Sequence, residues 1–319
     1  MTDTVHGIHH VTVLASDPQA TLKFYTDVLG LRFIKQTVHF DDYSTYHFYF
    51  GDETGNPGTI MTFFPFANLP PGQVGRGQVS ATAFVIPDDS VNYWVDRLED
   101  HDVDFDEPAT RFDETVIRFR DHDGQPLELI TGESDIEPWM DGPVPNEHAT
   151  QGFHGVTVKP NDPVATGEVL ETLGYEEIAQ EDTPQSGDWQ RYSVSGDRAQ
   201  YVDVEYDPNV PPGTWGTGVV HHVAFRTPDD DTQQQWRDTL LDTGLATTSM
   251  KDREYFHSVY FREPSGINFE IATDPPGFTH DEEVTELGDE LKLPQWLEGD
   301  RELIESQLPE LQVNGAAAR

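Results

Sequence analysis

The feature that most constrains this chain is a unit met four times along its 319 residues. Gly7-Ile8-His9-His10-Val11-Thr12-Val13 returns as Gly152-Phe153-His154-Gly155-Val156-Thr157-Val158 and, in part, as Val220-His221-His222-Val223-Ala224-Phe225. The remaining unit opens at Val79-Ser80-Ala81-Thr82-Ala83-Phe84. With residue 10 as the mark, the equivalents are 81, 155 and 222, at steps of 71, 74 and 67. Internal self-similarity outranks local periodicity, because each copy must bury its apolar face against its neighbours.

Within the first unit the order of elements is legible. An apolar run over 8–14 predicts a strand, and Ala15-Ser16-Asp17-Pro18 then turns, with Asp17 as N-cap and Pro18 at the first helical position. Leu22, Tyr25 and Leu29 recur at helical spacing, and Gly30 supplies a C-cap. Strand-like runs over 31–40, 45–50 and 59–66 follow, separated by Gly- and Pro-rich turns. Unit two repeats this with a helix over 91–98 and a last strand over 125–129. Unit three echoes Asp17-Pro18 as Asp162-Pro163 and Leu29-Gly30 as Leu173-Gly174, and unit four closes on the strand that holds Glu270. The expectation is an α+β chain of four tandem βαβββ modules in two halves, 1–145 and 146–276. A helical extension over 277–319 completes it, read as two short helices split by Pro294. Leu287/Leu291 and Ile304/Leu308 would pack these helices on the body or on a neighbouring subunit, and a homo-oligomer is expected.

Composition narrows the partners. Lys and Arg number 19 against 59 Asp and Glu, a formal charge of −40. Such a surface repels nucleic acid and anionic lipid. The acid is spread along the whole chain, as suits a protein adapted to high salt, where screening weakens self-repulsion. There is no cysteine, so any metal must be held by histidine, carboxylate or backbone oxygen. MTDTVHGIHH has no basic, apolar signal pattern and no apolar run reaches membrane-spanning length. A soluble, cytoplasmic protein is expected.

The repeat also points to a site. At the first-strand position the units carry His10, Ala81, Gly155 and His222; at the last-strand position, units two and four carry Glu128 and Glu270. Glu270 sits between Phe269 and Ile271, hence on the opposite face of its strand. A carboxylate turned inward requires a partner. Two of the 13 histidines fall at one repeat position with a matching acid, and two imidazoles and one carboxylate make a facial metal site of the kind that holds ferrous iron. His10, His222 and Glu270 are therefore the expected ligands. Strand parity leaves His9 and His221 as supporting or structural residues, and the small Thr12 and Ala224 flank the ligands. Arg253 and Tyr260 precede and occupy the strand expected beside Glu270. They read either as contacts around a bound substrate or as a surface ion pair and a core tyrosine. Glu128 reads as an ion-paired structural acid, Asp203 and Glu205 as a solvated face, and His39 and His47 as surface residues with substrate contact as the alternative.

At these residues the chain resembles the vicinal oxygen chelate superfamily. More narrowly it is similar to ring-cleaving dioxygenases of the hydroquinone 1,2-dioxygenase type. The resemblance spans the chain and is carried by the His-His-Val segments, by Tyr25 to Leu31, by Asp252 to Phe256, by Val259 to Arg262, by Phe269 to Phe278 and by Leu291 to Glu298. It implies Fe(II), with Mn(II) as the alternative, held at the positions of His10, His222 and Glu270. A small aromatic diol and O2 would be the substrates, with His9, Thr12, His221, Arg253 and Tyr260 around the diol. Tyr260 or His221 would take the proton of its hydroxyl group, and Arg253 would steady the anion. Catechol-cleaving relatives take both histidines at the positions of Gly155 and His222; glycine cannot ligate through a side chain, so the hydroquinone pattern fits better. Two other readings stay open on the residues: a glyoxalase-type lyase using Zn, Ni or Co, and a protein that binds a quinone-like or drug-like molecule without turnover.

Overall fold

A computed structural model of the chain describes residues 4–183, 187–196 and 198–313. Module one contains β1 (Ile8–Ala15), α1 (Pro18–Lys23), β2 (Arg32–His39), β3 (Asp42–Gly51) and β4 (Ile60–Pro65). Module two contains β5 (Gln78–Ile86), α2 (Val91–Asp100), β6 (Ala109–Arg111), β7 (Glu114–Arg120) and β8 (Pro126–Thr131). Module three contains β9 (Phe153–Lys159), α3 (Pro163–Thr172), β10 (Glu176–Thr183), β11 (Gly187–Ser193) and β12 (Tyr201–Tyr206). Module four contains β13 (Val219–Thr227), α4 (Asp230–Asp242), β14 (Lys251–Asp252), β15 (Phe256–Arg262) and β16 (Asn268–Pro276). The fold class expected from the repeat holds.

The helix starts follow from short polar side chains. Asp17 accepts the Ala20 N–H at 2.8 Å, Asp162 caps α3 through Val164 and Ala165, and Asp229 caps α4 through Thr232. The first helix does not run straight to Gly30: its last turn, Phe24–Val28, is wound as a wider π-turn. It carries the buried Tyr25, whose hydroxyl donates to Asp121 at 3.0 Å. Gly30 has φ +73°, and a Cβ there would meet Val144 at 2.5 Å, so both conformation and space call for glycine.

The modules pair across the chain to give two eight-stranded sheets. One runs β14-β15-β16-β13-β1-β4-β3-β2 and joins modules four and one; the other runs β10-β11-β12-β9-β5-β8-β7-β6 and joins modules three and two. In each module the first strand lies parallel to the last, and the sheets are sewn at their centres by antiparallel pairs, β1 with β13 and β5 with β9.

Register places the chemistry, because directly opposed residues share a face. Tyr260 stands opposite Glu270, Glu270 opposite Ala224, Ala224 opposite His10, and His10 opposite Ile60. In the next row of the same face His222 stands opposite Thr12, Thr12 opposite Thr62, and Thr62 opposite Tyr49.

The tail differs from the expectation of two helices. After Gly277 it makes short 3-10 turns at Phe278–His280 and Val284–Glu286, and among the described residues of the tail only α5 (Arg301–Gln307) is α-helical. The reason is β2, an edge strand whose open backbone groups need cover. Lys292 donates its N–H to Gln36 O at 2.9 Å, and Leu291 bridges Gln36 in parallel, so the tail runs as an extended strap along that edge. The fully buried Lys35 pins it through Asp281, at 2.7 Å, and Glu282. The last positions of the expected extension, 314–319, lie outside the described residues. Among those described, no helix is long and apolar enough to cross a membrane.

Candidate metal centre

The two rows bring His10, His222 and Glu270 together. Their potential ligand atoms all lie within 4.8 Å of one another. His10 Nε2 is 3.1 Å from His222 Nε2, and Glu270 Oε2 is 3.4 Å from the first and 3.0 Å from the second. With ligands about 2.1 Å from a metal, neighbours at right angles are about 3.0 Å apart and tetrahedral neighbours about 3.4 Å. The observed triangle matches three ligands around one ion. Glu270 Oε2 accepts no hydrogen bond although the side chain is fully buried, as a ligand oxygen would be left. Its other oxygen accepts from Ser258 Oγ at 2.5 Å, which fixes the rotamer. Ala224, between His10 and Glu270 in their row, leaves the space in which these side chains converge.

Each ligand candidate is backed by its sequence neighbour. His9 Nδ1 lies 2.9 Å from His10 Nδ1, and His221 Nδ1 lies 2.7 Å from His222 Nδ1. Such an outer partner orients a ligating imidazole and directs its other nitrogen inward. Burial, reinforced by His10, holds His9 neutral well below the usual histidine range. Burial, reinforced by His222, pulls His221 down to about 3. Both can therefore accept the Nδ1–H of the ring beside them. His9 is buried behind His10, whereas His221 reaches the cleft wall. His222 is itself lowered by burial, against the opposing pull of Glu270. Burial works to raise the Glu270 carboxyl, but His10 and His222 outweigh it and hold the group ionised well below the usual range.

His10 and His222 line a cleft of about 340 Å³. Phe40, Phe64, Phe256 and Tyr49 give it aromatic walls, and Asp41, Lys251 and Arg253 are among its polar residues. Arg253 donates its Nε–H to Tyr260 Oη at 3.2 Å and faces Asp41 Oδ2 at 3.4 Å. Burial raises the Tyr260 phenol, and Glu270 adds to this against Arg253, so Tyr260 keeps its proton and can donate it in a hydrogen bond. Thr12 Oγ1 lies 2.8 Å from His222 Nε2, beside the atom that would face the ion.

Two expectations are corrected. His47 and His39 are not surface residues: both line the cleft, and His47 is buried between Tyr49 and Thr62. Nor is Asp203 solvated. It is buried on the face of β12 that meets Arg191, with Nε–Oδ1 at 2.7 Å and a second bond at 2.9 Å. Both belong to faces covered by other strands, which a single strand's alternation does not reveal.

Among the described residues such a triad is found once, and the second sheet shows why. Its cleft is larger, about 400 Å³, but Ala81 stands where His222 would be and Gly155 where His10 would be. A Cβ on Gly155 would meet Tyr201 O at 2.3 Å, leaving no room for a histidine. Glu128, the counterpart of Glu270, takes guanidinium partners instead: Arg111 at 2.9 and 2.6 Å and Arg118 at 3.0 Å. It is the ion-paired acid the sequence suggested.

The Glyoxalase/Bleomycin resistance protein/Dioxygenase superfamily matches the chain twice, over residues 7–129 and 139–271. "Putative ring-cleaving dioxygenase MhqE" of Bacillus subtilis is 46% identical over 310 residues, which cover 96% of this chain and 99% of that protein. The chlorohydroquinone/hydroquinone 1,2-dioxygenase of Sphingobium indicum is 35% identical over 308 residues, covering 93% and 94% of the two chains. The crystal structure of a "putative dioxygenase from Bacillus subtilis" superposes with a TM-score of 0.93 at 41% identity, over 98% of this chain and 99% of that one. The match over both halves, and the full-length identity to these relatives, place the chain in the glyoxalase/bleomycin resistance protein/dioxygenase superfamily, within its ring-cleaving dioxygenase family.

Proposed function

We propose that this protein is an Fe(II)-dependent dioxygenase that opens the ring of a hydroquinone-type diol with O2. The observation that carries the reading is the His10–His222–Glu270 triangle, with sides of 3.0–3.4 Å, at the inner end of an aromatic-walled cleft. The full-length likeness to a hydroquinone 1,2-dioxygenase supports the substrate class. Two neutral imidazoles and one carboxylate suit iron, and manganese is the other metal this donor set accepts. Bound there, ferrous iron supplies the redox path by which electron density passes from the ring to O2.

The remaining work belongs to the chain. Ser258 holds Glu270 in place, and His9 and His221 set the orientation of the ligand rings. The aromatic walls exclude water and leave a flat slot for the diol ring. Tyr260 donates a hydrogen bond to oxygen at the reacting end, and Arg253, tied to Tyr260, places positive charge where the ring becomes anionic. The test is oxygen uptake by protein loaded anaerobically with ferrous iron, assayed in high salt against hydroquinones and catechols. Uptake with hydroquinones that disappears in His222→Ala is the expected result. Uptake with catechols alone would reassign the substrate, and none with any diol despite bound metal would sink the reading.

A further inference from the structure

A hydrogen-bonded chain leaves the metal centre along the second row of the sheet. Thr12 Oγ1, 2.8 Å from His222 Nε2, is 2.8 Å from Thr62 Oγ1. Thr62 Oγ1 is 3.0 Å from His47 Nε2, and His47 Nδ1 is 2.8 Å from Tyr49 Oη. All of these contacts are buried, and register fixes them, since His222, Thr12, Thr62 and Tyr49 are opposed on four neighbouring strands. Hydroxyl groups both accept and donate, so two threonines in series can pass a proton without moving their heavy atoms. Once His222 Nε2 faces a metal it carries no proton and has no free lone pair. The Thr12 hydroxyl beside it is then left to meet an oxygen held at that centre.

Resting on the diol-cleaving reading, we propose that His47 is the outlet for the proton that the substrate hydroxyl loses on binding, reached through Thr12 and Thr62. The substrate O–H breaks as its proton passes to Thr12 Oγ1. The Thr12 proton passes to Thr62 Oγ1, and the Thr62 proton to His47 Nε2. The products are a substrate phenolate and an imidazolium whose Nδ1–H is directed at Tyr49 Oη; no electrons move. His47 acts through the threonines and is a positioning residue rather than a group that touches substrate.

The surroundings of His47 suit a carrier. Burial, then repulsion from His39 on β2, His10 on β1, His222 on β13 and Arg253 before β15, keep the imidazole neutral well below its usual range. Its Nε2 is thus available to accept, and its charged form does not persist. Tyr49, on its own strand, is held protonated by burial, with Tyr260 adding to the effect. It presents a hydroxyl rather than a phenolate to Nδ1.

The experiment uses the full chain loaded with Zn(II), which binds the phenol without consuming it, and 4-nitrophenol as the probe, whose phenolate absorbs visible light. The rate at which bound probe appears as phenolate after rapid mixing is followed at several pH values in the wild type, in His47→Gln, which keeps polar atoms but cannot carry the proton, and in Thr62→Val, which cuts the chain. The expected result is phenolate formation slowed about tenfold or more in both variants, with the final fraction of phenolate at each pH unchanged, because a carrier alters the rate of proton transfer and not its equilibrium. Metal content should be unchanged, as should affinity for the probe at a pH where it is already ionised. A wild-type rate in both variants overturns the proposal and leaves the dioxygenase reading standing. A wild type that binds no phenol overturns both.

Discussion

The two oxygens of Glu270 are used differently, and the difference can be measured. Oε1 is fixed by Ser258, whereas Oε2 faces two imidazoles and accepts no hydrogen bond. Ser258→Ala should leave the ligand set intact but loosen its geometry. The weakening of metal affinity should be about tenfold to a hundredfold, the range seen when such outer partners are removed. Glu270→Ala should abolish stoichiometric metal altogether. Chelator competition on the two variants checks this, and equal affinity in Ser258→Ala and wild type would remove Ser258 from the account. At this scale the sequence was informative where the repeat provided an internal control: His10 and His222 stood out against Ala81 and Gly155 at the same position. His47 had no such control. It lies in β3, which from Thr45 onward is buried on both faces, so alternation could not tell which side chains meet the cleft.

At the scale of elements, the two sheets solve the problem of a buried carboxylate in two ways. One brings the His10 and His222 imidazoles to Glu270; the other neutralises Glu128 with Arg111 and Arg118, while Arg191 holds Asp203 and Glu114. Removing Glu128 leaves the buried Arg111 with only the longer pairing to Asp203 at 3.5 Å, so Glu128→Ala should cost about 3 kcal/mol of stability, the low end for broken buried pairs. Burial works to raise the Glu128 carboxyl, but the two guanidinium groups lower it below its usual value. A lowered folded-state pKa gives stability that is present above the unfolded value, about 4.3, and lost as pH falls through the folded one. Wild-type unfolding free energy should therefore drop with acid below about pH 4.3, and the drop should be shallower in Glu128→Ala. Urea unfolding between pH 3 and 7 reads both, and parallel pH curves would refute the assignment. The order of elements in each module and the Asp-Pro helix starts were legible because Asp-Pro pairs and apolar runs act locally. The acid partners were not, since Arg111 and Arg191 reach Glu128 and Asp203 from other strands. The tail strap was hidden for the same reason: its form answers an edge strand some 250 residues earlier, through Gln36 and Leu291.

For the whole molecule the governing quantity is the charge of −40. Unscreened, that field opposes compaction, and the Debye length shrinks from about 10 Å at 0.1 M salt to about 3 Å at 1 M. The melting temperature should therefore rise by on the order of 5–10 °C between 0.1 and 2 M KCl, the equivalent of a few kcal/mol for a chain of this size. NaCl should act alike at equal ionic strength, because screening does not distinguish the cations; a flat or falling melting curve would contradict the reading. The same field bears on entry to the cleft. A hydroquinone is neutral at pH 7 and crosses an acidic surface without electrostatic work; on the proposed function it would become an anion only inside the cleft that Arg253 and Lys251 line. A carboxylated analogue must approach as an anion. Its kcat/KM should climb about tenfold or more with salt, the scale of electrostatic effects on association, while that of the neutral diol stays level. The two substrates measured side by side in the iron-loaded enzyme, corrected for stability at each salt concentration, decide the matter. Equal salt responses would mean that the local positive charge at the cleft outweighs the global negative field.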